Sequence, residues 1–450
     1  MSRAAKEAIA DLDRRLIAEH ERDFDLFEML NEQQRRSGIL HGSRPICPYP
    51  RPYFLESSRY QAIRAAAAHL FGAFNAITQA ALGDAALMAE LGVTEKEARW
   101  ARLDPGFENV SITSRLDTFL AGDGFAFLEY NGENPAGVGD QVSLERLFDN
   151  VPAVREFISN ERVTFPRPME RLLAAVLDAY SRSGGEKAKP MIAIVDWEGV
   201  DTAAEFELLA DYFRSAGLDA MICDPHELGL SGTRLHARGS EIDIFFKRVI
   251  IHEFLERFDE THPLYVALEN RDVCMINPFR SKIPHKKSSF AILTAERYER
   301  LFTPAQLSAI RAHVPWTRVV RESRTLFRGV EHDLPGLIRR ERSSFVIKPN
   351  DDYGGHGIVF GWEADESAWD DAISEALDQG HIVQLRVPVE KAAMPYFDEN
   401  GARMVEQNVD FDPFLFAGDV EGGMVRLGAG SLVNITQGGT EAALGIIDDL

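Results

Sequence analysis

The spacing of apolar residues changes several times along the chain and predicts a protein that mixes α-helices with β-strands. Apolar residues recur at helical intervals through Ile9, Leu12 and Leu16, and again between residues 63 and 91. The proline-rich stretch 45–52 interrupts this pattern and must be extended or looped, because proline fixes φ and lacks an N–H donor. We therefore interpret residues 1–105 as a helical N-terminal region.

A period of two replaces the helical period between Val110 and Asn131, which is typical of β-strands. Residues 121–124 read Ala-Gly-Asp-Gly and predict a turn in the middle of this segment, so the segment should form a hairpin. Helical spacing returns in residues 140–188. We take residues 106–189 as one part of the chain that contains this hairpin and the helices after it.

The remaining pattern predicts a small α/β unit in residues 190–280, followed by a longer mixed region in residues 281–450. In the first of these we expect strands at 191–195 and 220–223, a helix at 202–216, and a hairpin-like pair at 235–246. In the second we expect helices around 295–313 and 366–379, a strand at 381–387 and several later strands.

Composition narrows the classes of function. The chain has 450 residues and a formal charge of −22 at pH 7, so we expect no nucleic-acid partner and no membrane partner, because both need a basic surface. No stretch reaches about 18 uninterrupted apolar residues, and the N-terminus lacks the apolar core of a signal peptide. Cys47, Cys223 and Cys274 have no metal-ligand spacing. A cytoplasmic protein is the expectation.

A glycine-dense turn lies between two apolar runs in residues 343–361. The first run ends at Lys348, and the turn contains Gly354, Gly355 and Gly357. Glycines allow backbone N–H groups to approach an anion closely, and a lysine beside such a loop suits a nucleotide phosphate. The segment is no Walker P-loop, because the Gly-Lys-Ser/Thr signature is missing. Read alone, it equally fits a glycine-rich hairpin with a surface lysine.

The predicted hairpin carries a second group of polar residues. Residues two apart in a strand share a face, so Glu129 and Asn131 should point the same way, as should Arg115 and Asp117. With the turn at 121–124, Asp117 should lie within about one residue of the position opposite Glu129. Such oxygen donors suit Mg²⁺. The alternative is a solvated hairpin face with an Arg–Asp pair, although Glu129 directly follows an apolar run.

Together these segments resemble the circularly permuted ATP-grasp ligases of the glutathionylspermidine-synthase-like group, from about Pro52 to the end. The resemblance implies an ATP-grasp fold in which residues 190–280 are a pre-ATP-grasp α/β domain and residues 281–450 hold the nucleotide-binding lobes. The matching segments are 115–117 (Arg-Leu-Asp), 128–137 (Leu-Glu-Tyr-Asn-Gly-Glu-Asn-Pro-Ala-Gly), 242–248 (Ile-Asp-Ile-Phe-Phe-Lys-Arg), 345–349 (Phe-Val-Ile-Lys-Pro) with its glycine loop, and 433–439 (Val-Asn-Ile-Thr-Gln-Gly-Gly).

The resemblance also implies roles for individual residues. Asp117, Glu129 and Asn131 would hold Mg²⁺, of which the family binds two ions, while Arg115 would assist the transferring phosphoryl group. Lys348 would contact the ATP phosphates, and a loop would close over them. The residues of that loop are Tyr353, Gly354, Gly355, His356 and Gly357.

Two further assignments follow from the resemblance. Lys287 is placed like a second ATP lysine, with Lys286 as an equally good occupant and a solvated basic turn as the alternative. Gln384, Leu385 and Val387 resemble the strand between the lobes whose backbone holds adenine. The family commonly has glutamate directly after that glutamine, so Leu385 removes a side-chain acceptor and leaves backbone contacts.

The implied activity is ATP- and Mg²⁺-dependent ligation of a small-molecule carboxylate to an amine through an acyl phosphate. A small-molecule kinase that uses the same nucleotide site is one alternative, and a non-catalytic nucleotide-binding protein is another. His252 and His285 show no metal-ligand spacing, so we expect them at the surface or at helix ends.

Overall fold

The computed structural model describes residues 3–22, 26–200, 202–352, 354–433, 435 and 438–449. Most of the N-terminal region is helical, as predicted. The helices are Arg3–Arg22, Leu26–Ser37, Ser57–Gly83, Ala85–Glu90, Glu95–Ala101, Val138–Arg146, Pro152–Asn160, Pro168–Arg182, Ala203–Ser215, Ile251–Arg257, Pro263–Glu269, Lys282–His285, Ser288–Leu293, Pro304–His313, Leu334–Arg340 and Glu366–Gln379. Short 3-10 helices are Leu147–Asn150, Pro225–Glu227, Phe279–Ser281, Glu296–Leu301 and Arg342–Ser344.

A large antiparallel sheet, which we call the large sheet, joins the predicted hairpin to the last part of the chain. Its strands in spatial order are Thr440–Ala442, Asp419–Gly428, Gly401–Phe416, Thr113–Ala121 and Gly124–Asn131, and Lys391–Asp398 also pairs with Gly401–Phe416. The helix Ser57–Gly83 packs its apolar face on this sheet, where Phe74 stacks on Tyr130 at 4.2 Å between ring centroids. Burial of these two aromatic rings stabilises the hairpin.

A parallel sheet forms the centre of residues 190–280. Its strands in spatial order are Cys274–Ile276, Ile244–Lys247, Met191–Val195 and Asp219–Cys223. Here the prediction of a hairpin within 235–246 is wrong in part. Arg234–Ala237 does pair antiparallel with Ser240–Glu241, and it also pairs with Gly229–Ser231. All four residues of Ile244–Lys247, however, are buried, and this strand pairs parallel with strands on both sides, as suits a continuous apolar run.

The small sheet carries the predicted nucleotide lysine. Its strands in spatial order are Thr317–Val319, Ile382–Leu385, Phe345–Lys348 and Val359–Phe360, all antiparallel to their neighbours. The predicted strand, glycine-rich loop and return strand of residues 343–361 are therefore present.

Three strand pairs complete the secondary structure of the described residues. Leu444–Ile447 runs parallel to Tyr53–Glu56 and ties the last residues to the start of the long helix. The other two are Leu40–His41 with Arg44–Pro45, and Arg324–Phe327 with Val330–Asp333. None of the helices in the described ranges is both long enough and apolar enough to cross a membrane.

Candidate nucleotide and metal site

One cleft of about 870 Å³ brings the two predicted halves of the site together. Asp117 from the large sheet and Lys348 from the small sheet both line it. Of the other predicted residues, the cleft is lined by Arg115, Glu129, Asn131, Lys287, Gly354, Gly355, His356, Gln384, Leu385 and Val387. Gly357 is described but does not line the cleft, and Tyr353 lies outside the described residues, as does Asn434.

The hairpin places its polar residues as the strand register requires. Its strands Thr113–Ala121 and Gly124–Asn131 pair so that Asp117 lies directly opposite Glu129 and Arg115 opposite Asn131. A register shift after Asp117 adds one residue to the second strand. Bulges of this kind re-aim side chains beside functional sites. The two carboxylates therefore lie side by side on the face that lines the cleft.

Two arginines and an amide surround the carboxylate of Asp117. Its Oδ1 accepts from Asn131 Nδ2 at 2.7 Å and from Arg115 Nε at 3.2 Å, and its Oδ2 accepts from Arg426 Nη2 at 2.6 Å. Burial would favour the neutral acid, but the guanidinium groups of Arg426 and Arg115 outweigh it and hold the pKa of Asp117 below its usual range. Asp117 is therefore ionised at neutral pH.

Arg426, Asp410 and Asp412 were not singled out in the sequence, yet they share this site. Arg426 Nη2 lies 2.6 Å from Asp410 Oδ2 and 2.9 Å from Asp412 Oδ2. Asp410 and Asp412 are two apart on one buried face of Gly401–Phe416, and Asp410 stands opposite Arg426 in the register. One feature of the sequence could have revealed them: Asp410 and Asp412 occupy alternate positions of an otherwise apolar run, where carboxylates are unusual.

The donor set of this cluster fits a divalent cation. Oxygens of Asp117, Asp410 and Asp412 all lie within 4.8 Å of one another. Within the described residues, Asp410 Oδ1 has no hydrogen-bond partner although it is buried beside the cleft. Ionised carboxylate oxygens with spare lone pairs are the ligands that Mg²⁺ prefers. Of the predicted metal ligands Asp117, Glu129 and Asn131, this cluster includes Asp117, while Glu129 and Asn131 line the same cleft and Asp410 is a neighbouring acceptor.

The structure distinguishes Lys286 from Lys287, between which the sequence left open the choice of a second ATP lysine. Lys287 lines the cleft, where its Nζ lies 3.1 Å from Glu129 Oε1 and donates to the carbonyl of Asp352 at 2.7 Å. Lys286 does not line the cleft, and its Nζ binds the carboxylates of Glu97 and Asp351. Lys287 is therefore the one of the two that can reach a ligand in the cleft.

Lys348 is buried, and the negative charge of Glu129 acts on its ammonium group. Its Nζ donates to Gln384 Oε1 at 2.8 Å, and the Nε2 of Gln384 donates to Thr317 Oγ1 at 3.1 Å. Burial and the nearby ammonium group of Lys287 lower the pKa of Lys348 to about 8, despite the opposing field of Glu129. The lysine is thus poised to gain a proton when an anion binds.

The segment 384–387, which the sequence likened to an adenine-binding strand, has few side-chain groups free to accept or donate a hydrogen bond in the cleft. Gln384 turns towards Lys348, and Leu385 carries no acceptor. The backbone amides of Leu385 and Arg386 already donate to the carbonyls of Trp316 and Ser344, at 2.9 and 2.7 Å. The main chain from Val387 onwards is therefore the part of this segment on which a purine could depend.

The glycine-rich loop needs its glycines for backbone geometry. Gly354, Gly355 and Gly357 have φ values of 67°, 76° and 66°, in the left-handed region that other residues avoid. A Cβ on Gly357 would also lie 2.7 Å from the ring of Pro349. Gly354 and Gly355 line the same cleft as Lys348.

The opposite wall of the cleft comes from the parallel sheet. Asp196 and Trp197 follow the strand Met191–Val195, and Arg248 follows Ile244–Lys247, so the carboxyl ends of parallel strands face the cleft, as they commonly face ligands. His252 and His285 also line the cleft. Both lie at helix ends, which agrees with the sequence-based expectation: His252 is the second residue of Ile251–Arg257, and His285 is the last of Lys282–His285.

Comparisons with known proteins support the fold and leave the family open. No family model matches the sequence, and no curated protein matches it. Among solved structures, a glutathione synthetase-like effector from Globodera pallida in its apo form is similar over 94% of this chain and 97% of that chain, with a TM-score of 0.60 and 12% identity.

Two other solved structures align more distantly. A putative gamma-glutamylcysteine synthetase from Methylobacillus flagellatus is 13% identical, with a TM-score of 0.41 over 72% of this chain and 78% of that chain. D-alanyl-alanine synthetase A from Vibrio cholerae is 11% identical, with a TM-score of 0.25 over 50% of this chain and 68% of that chain. The effector's similarity covers nearly the whole chain and shows that the two proteins share a mixed α/β fold.

Proposed function

We propose that this protein is an ATP- and Mg²⁺-dependent ligase that joins a small-molecule carboxylate to an amine, with ADP and phosphate as products. The observation that carries the proposal is the convergence of Asp117 and Glu129 with Lys348 and Lys287 on one cleft. The fold shared with a glutathione synthetase-like protein supports it.

The circularly permuted arrangement belongs to the same proposal. The metal-binding hairpin precedes the nucleotide lysine in this chain, and residues 190–280 act as the pre-ATP-grasp domain between the hairpin and the lobes in 281–450. The part of the cleft lined by Asp196 and Arg248 would receive the acid and the amine.

The reaction would proceed in two steps. The substrate carboxylate attacks the γ-phosphorus of ATP, the bond to ADP breaks, and an acyl phosphate forms. The amine nitrogen then attacks the acyl carbon, loses a proton, and phosphate leaves with the electrons of the C–O bond. Mg²⁺ bound by Asp117, Glu129 and Asn131 would neutralise phosphate charge.

The chain's own residues supply placement and charge. Arg115 and Lys348 would bind the oxygens of the transferring group, where negative charge must be balanced in a site that excludes water. Lys287 would hold the phosphates from the side of Glu129. Closure of the loop at Gly354–Gly357 would keep water from the acyl phosphate, which hydrolysis would otherwise destroy.

The test is a screen of carboxylates against amines for ATP-dependent phosphate release, with mass spectrometry of the product. A ligase releases phosphate only when both acid and amine are present. Lys348→Ala and Glu129→Ala should each lower turnover about 10²-fold or more. A phosphate ester as product would identify a kinase instead. Unchanged ATP turnover in either variant would refute the assigned roles.

A further inference from the structure

The segment just before the glycine-rich loop is fastened to the helix Lys282–His285. Asp351 Oδ1 accepts from Lys282 Nζ at 2.7 Å, and Asp351 Oδ2 accepts from Lys286 Nζ at 2.8 Å. Because the two lysines are four residues apart in helical geometry, their ammonium groups reach both oxygens of one carboxylate. Despite burial, Lys282 and Lys286 hold the pKa of Asp351 below its usual range.

Backbone contacts strengthen this attachment on both sides of Asp351. The amide of Lys287 donates to the carbonyl of Asn350 at 2.9 Å, and the amide of Ser288 donates to Asn350 Oδ1 at 2.8 Å. The Nζ of Lys287 binds the carbonyl of Asp352 at 2.7 Å. Residues 350–352 are therefore held directly before the loop begins.

Lys282 has a second carboxylate partner at the end of the metal-binding hairpin. Its Nζ lies 3.2 Å from Glu133 Oε2, and both side chains are 1% exposed. Glu133 also accepts from the backbone amide of Ile251. Lys282 thus joins two carboxylates from different sequence segments, Glu133 buried and Asp351 21% exposed at the cleft.

We infer that Lys282 is a positioning residue that fixes the metal-binding hairpin relative to the glycine-rich loop, through Glu133 on one side and Asp351 on the other. The inference rests on the proposed function, in which both elements bind one magnesium nucleotide. Glu133 and Asp351 line the cleft, whereas Lys282 does not, so Lys282 acts without touching the ligand. Its loss leaves two neighbouring carboxylates that repel each other.

Lys282→Met in the full-length protein tests this inference with two measurements. The first is hydrogen exchange of the Lys287 and Ser288 amides without nucleotide, which should become at least tenfold faster because their acceptor, Asn350, is released. The second is calorimetry with Mg-ATP and with adenosine. Affinity for Mg-ATP should fall about tenfold or more, whereas affinity for adenosine should stay unchanged, because adenosine has no phosphates for the loop to hold.

Three variants control the experiment. Arg51→Met removes another buried cation, whose partner Asp13 does not line the cleft. This variant should destabilise the protein without changing the ratio of its affinities for Mg-ATP and adenosine. Lys282→Arg keeps the charge and should restore most of the Mg-ATP affinity. Asp351→Asn, which leaves the Lys282–Glu133 pair in place, should reproduce the selective loss even where Lys282→Met fails to fold.

The outcomes separate this inference from the proposed function. Equal losses for ATP and adenosine, or no loss in either Lys282→Met or Asp351→Asn, would overturn the positioning role while leaving the ligase proposal intact. A wild-type protein that binds no Mg-ATP would end the ligase proposal, and unchanged exchange at Lys287 and Ser288 in Lys282→Met would independently reject the attachment.

Discussion

Lys348 and Gln384 form a hydrogen bond of 2.8 Å that joins the proposed phosphate-binding lysine to the strand between the lobes. Because Gln384 Nε2 is committed to Thr317 Oγ1, its Oε1 must face the lysine. A neutral acceptor orients the ammonium group without neutralising it. The charge of Lys348 is thus left for a ligand.

Binding of Mg-ATP should take up a proton near pH 8. Lys348 has a pKa of about 8 in the ligand-free protein, so about half of the molecules carry it neutral at that pH, and a triphosphate favours the charged form. Affinity for Mg-ATP should therefore fall as the pH rises through 8. Calorimetry in two buffers of different ionisation enthalpy measures the uptake, which should disappear in Lys348→Arg and at pH 6.

Removal of Arg426 should cost more stability at high pH than at low pH. Arg426→Met removes the shared cation of Asp410 and Asp412 and leaves only the more distant guanidinium of Arg115, 3.7 Å from Asp412 Oδ2, among their partners in the described residues, so we expect a loss of about 3–5 kcal/mol in the free energy of unfolding at pH 7. Burial and the neighbouring carboxylates raise the pKa of both acids, so protonation relieves the repulsion as the pH falls. Urea unfolding at pH 5 and pH 7.5 would reveal this difference. Equal losses would contradict it, and adding Asp412→Asn should recover part of the stability.

Glu129 and Asp117 should differ in their structural importance although both are proposed metal ligands. Glu129→Gln should lower the free energy of unfolding by less than about 1 kcal/mol, because Lys287 keeps its hydrogen bond to the carbonyl of Asp352. Asp117→Asn should lower the free energy of unfolding by about 3 kcal/mol, because the guanidinium groups of Arg115 and Arg426 lose their shared carboxylate partner. Both variants should need more Mg²⁺ for turnover. Denaturation curves measure the two losses of stability, and Mg²⁺ titrations of turnover measure the metal requirement. An Asp117→Asn protein as stable as wild type would refute the predicted difference in stability.

Asp140 should make the protein less stable as the pH rises from about 4 to 7. Burial and the carboxylate of Glu205 raise the pKa of Asp140 to about 7, so in this range the unfolded chain ionises the group and the folded protein does not. Asp140→Asn removes this contribution and should raise the free energy of unfolding at pH 8 by about 2 kcal/mol, after allowance for solvent screening. Unfolding measured at pH 4 should show almost no difference between the two proteins.

The parts of the site that the sequence predicted are those decided by local pairing. Asp117 and Glu129 belong to strands joined by a short turn, so the turn position alone determines which residues face each other. The loop after Lys348 was visible because its glycines tolerate the positive φ values that other residues avoid. The mixed α/β fold was likewise predicted correctly.

The parts that were missed depend on contacts between distant segments. Arg426 reaches Asp117 from a strand more than three hundred residues later, and no motif marks it. Ile244–Lys247 was assigned to a hairpin because local turns are easier to recognise than a parallel neighbour. Its unbroken apolar run was the signal for burial on both faces.

The order of strands in the large sheet has a consequence for how the protein is made. Thr113–Ala121 leaves the ribosome almost three hundred residues before Gly401–Phe416, the strand beside which it lies. At roughly 10 residues per second, the hairpin waits on the order of half a minute with one edge unpaired. The nascent chain thus has an open β-edge for that whole interval, and such an edge is a template for pairing with other chains.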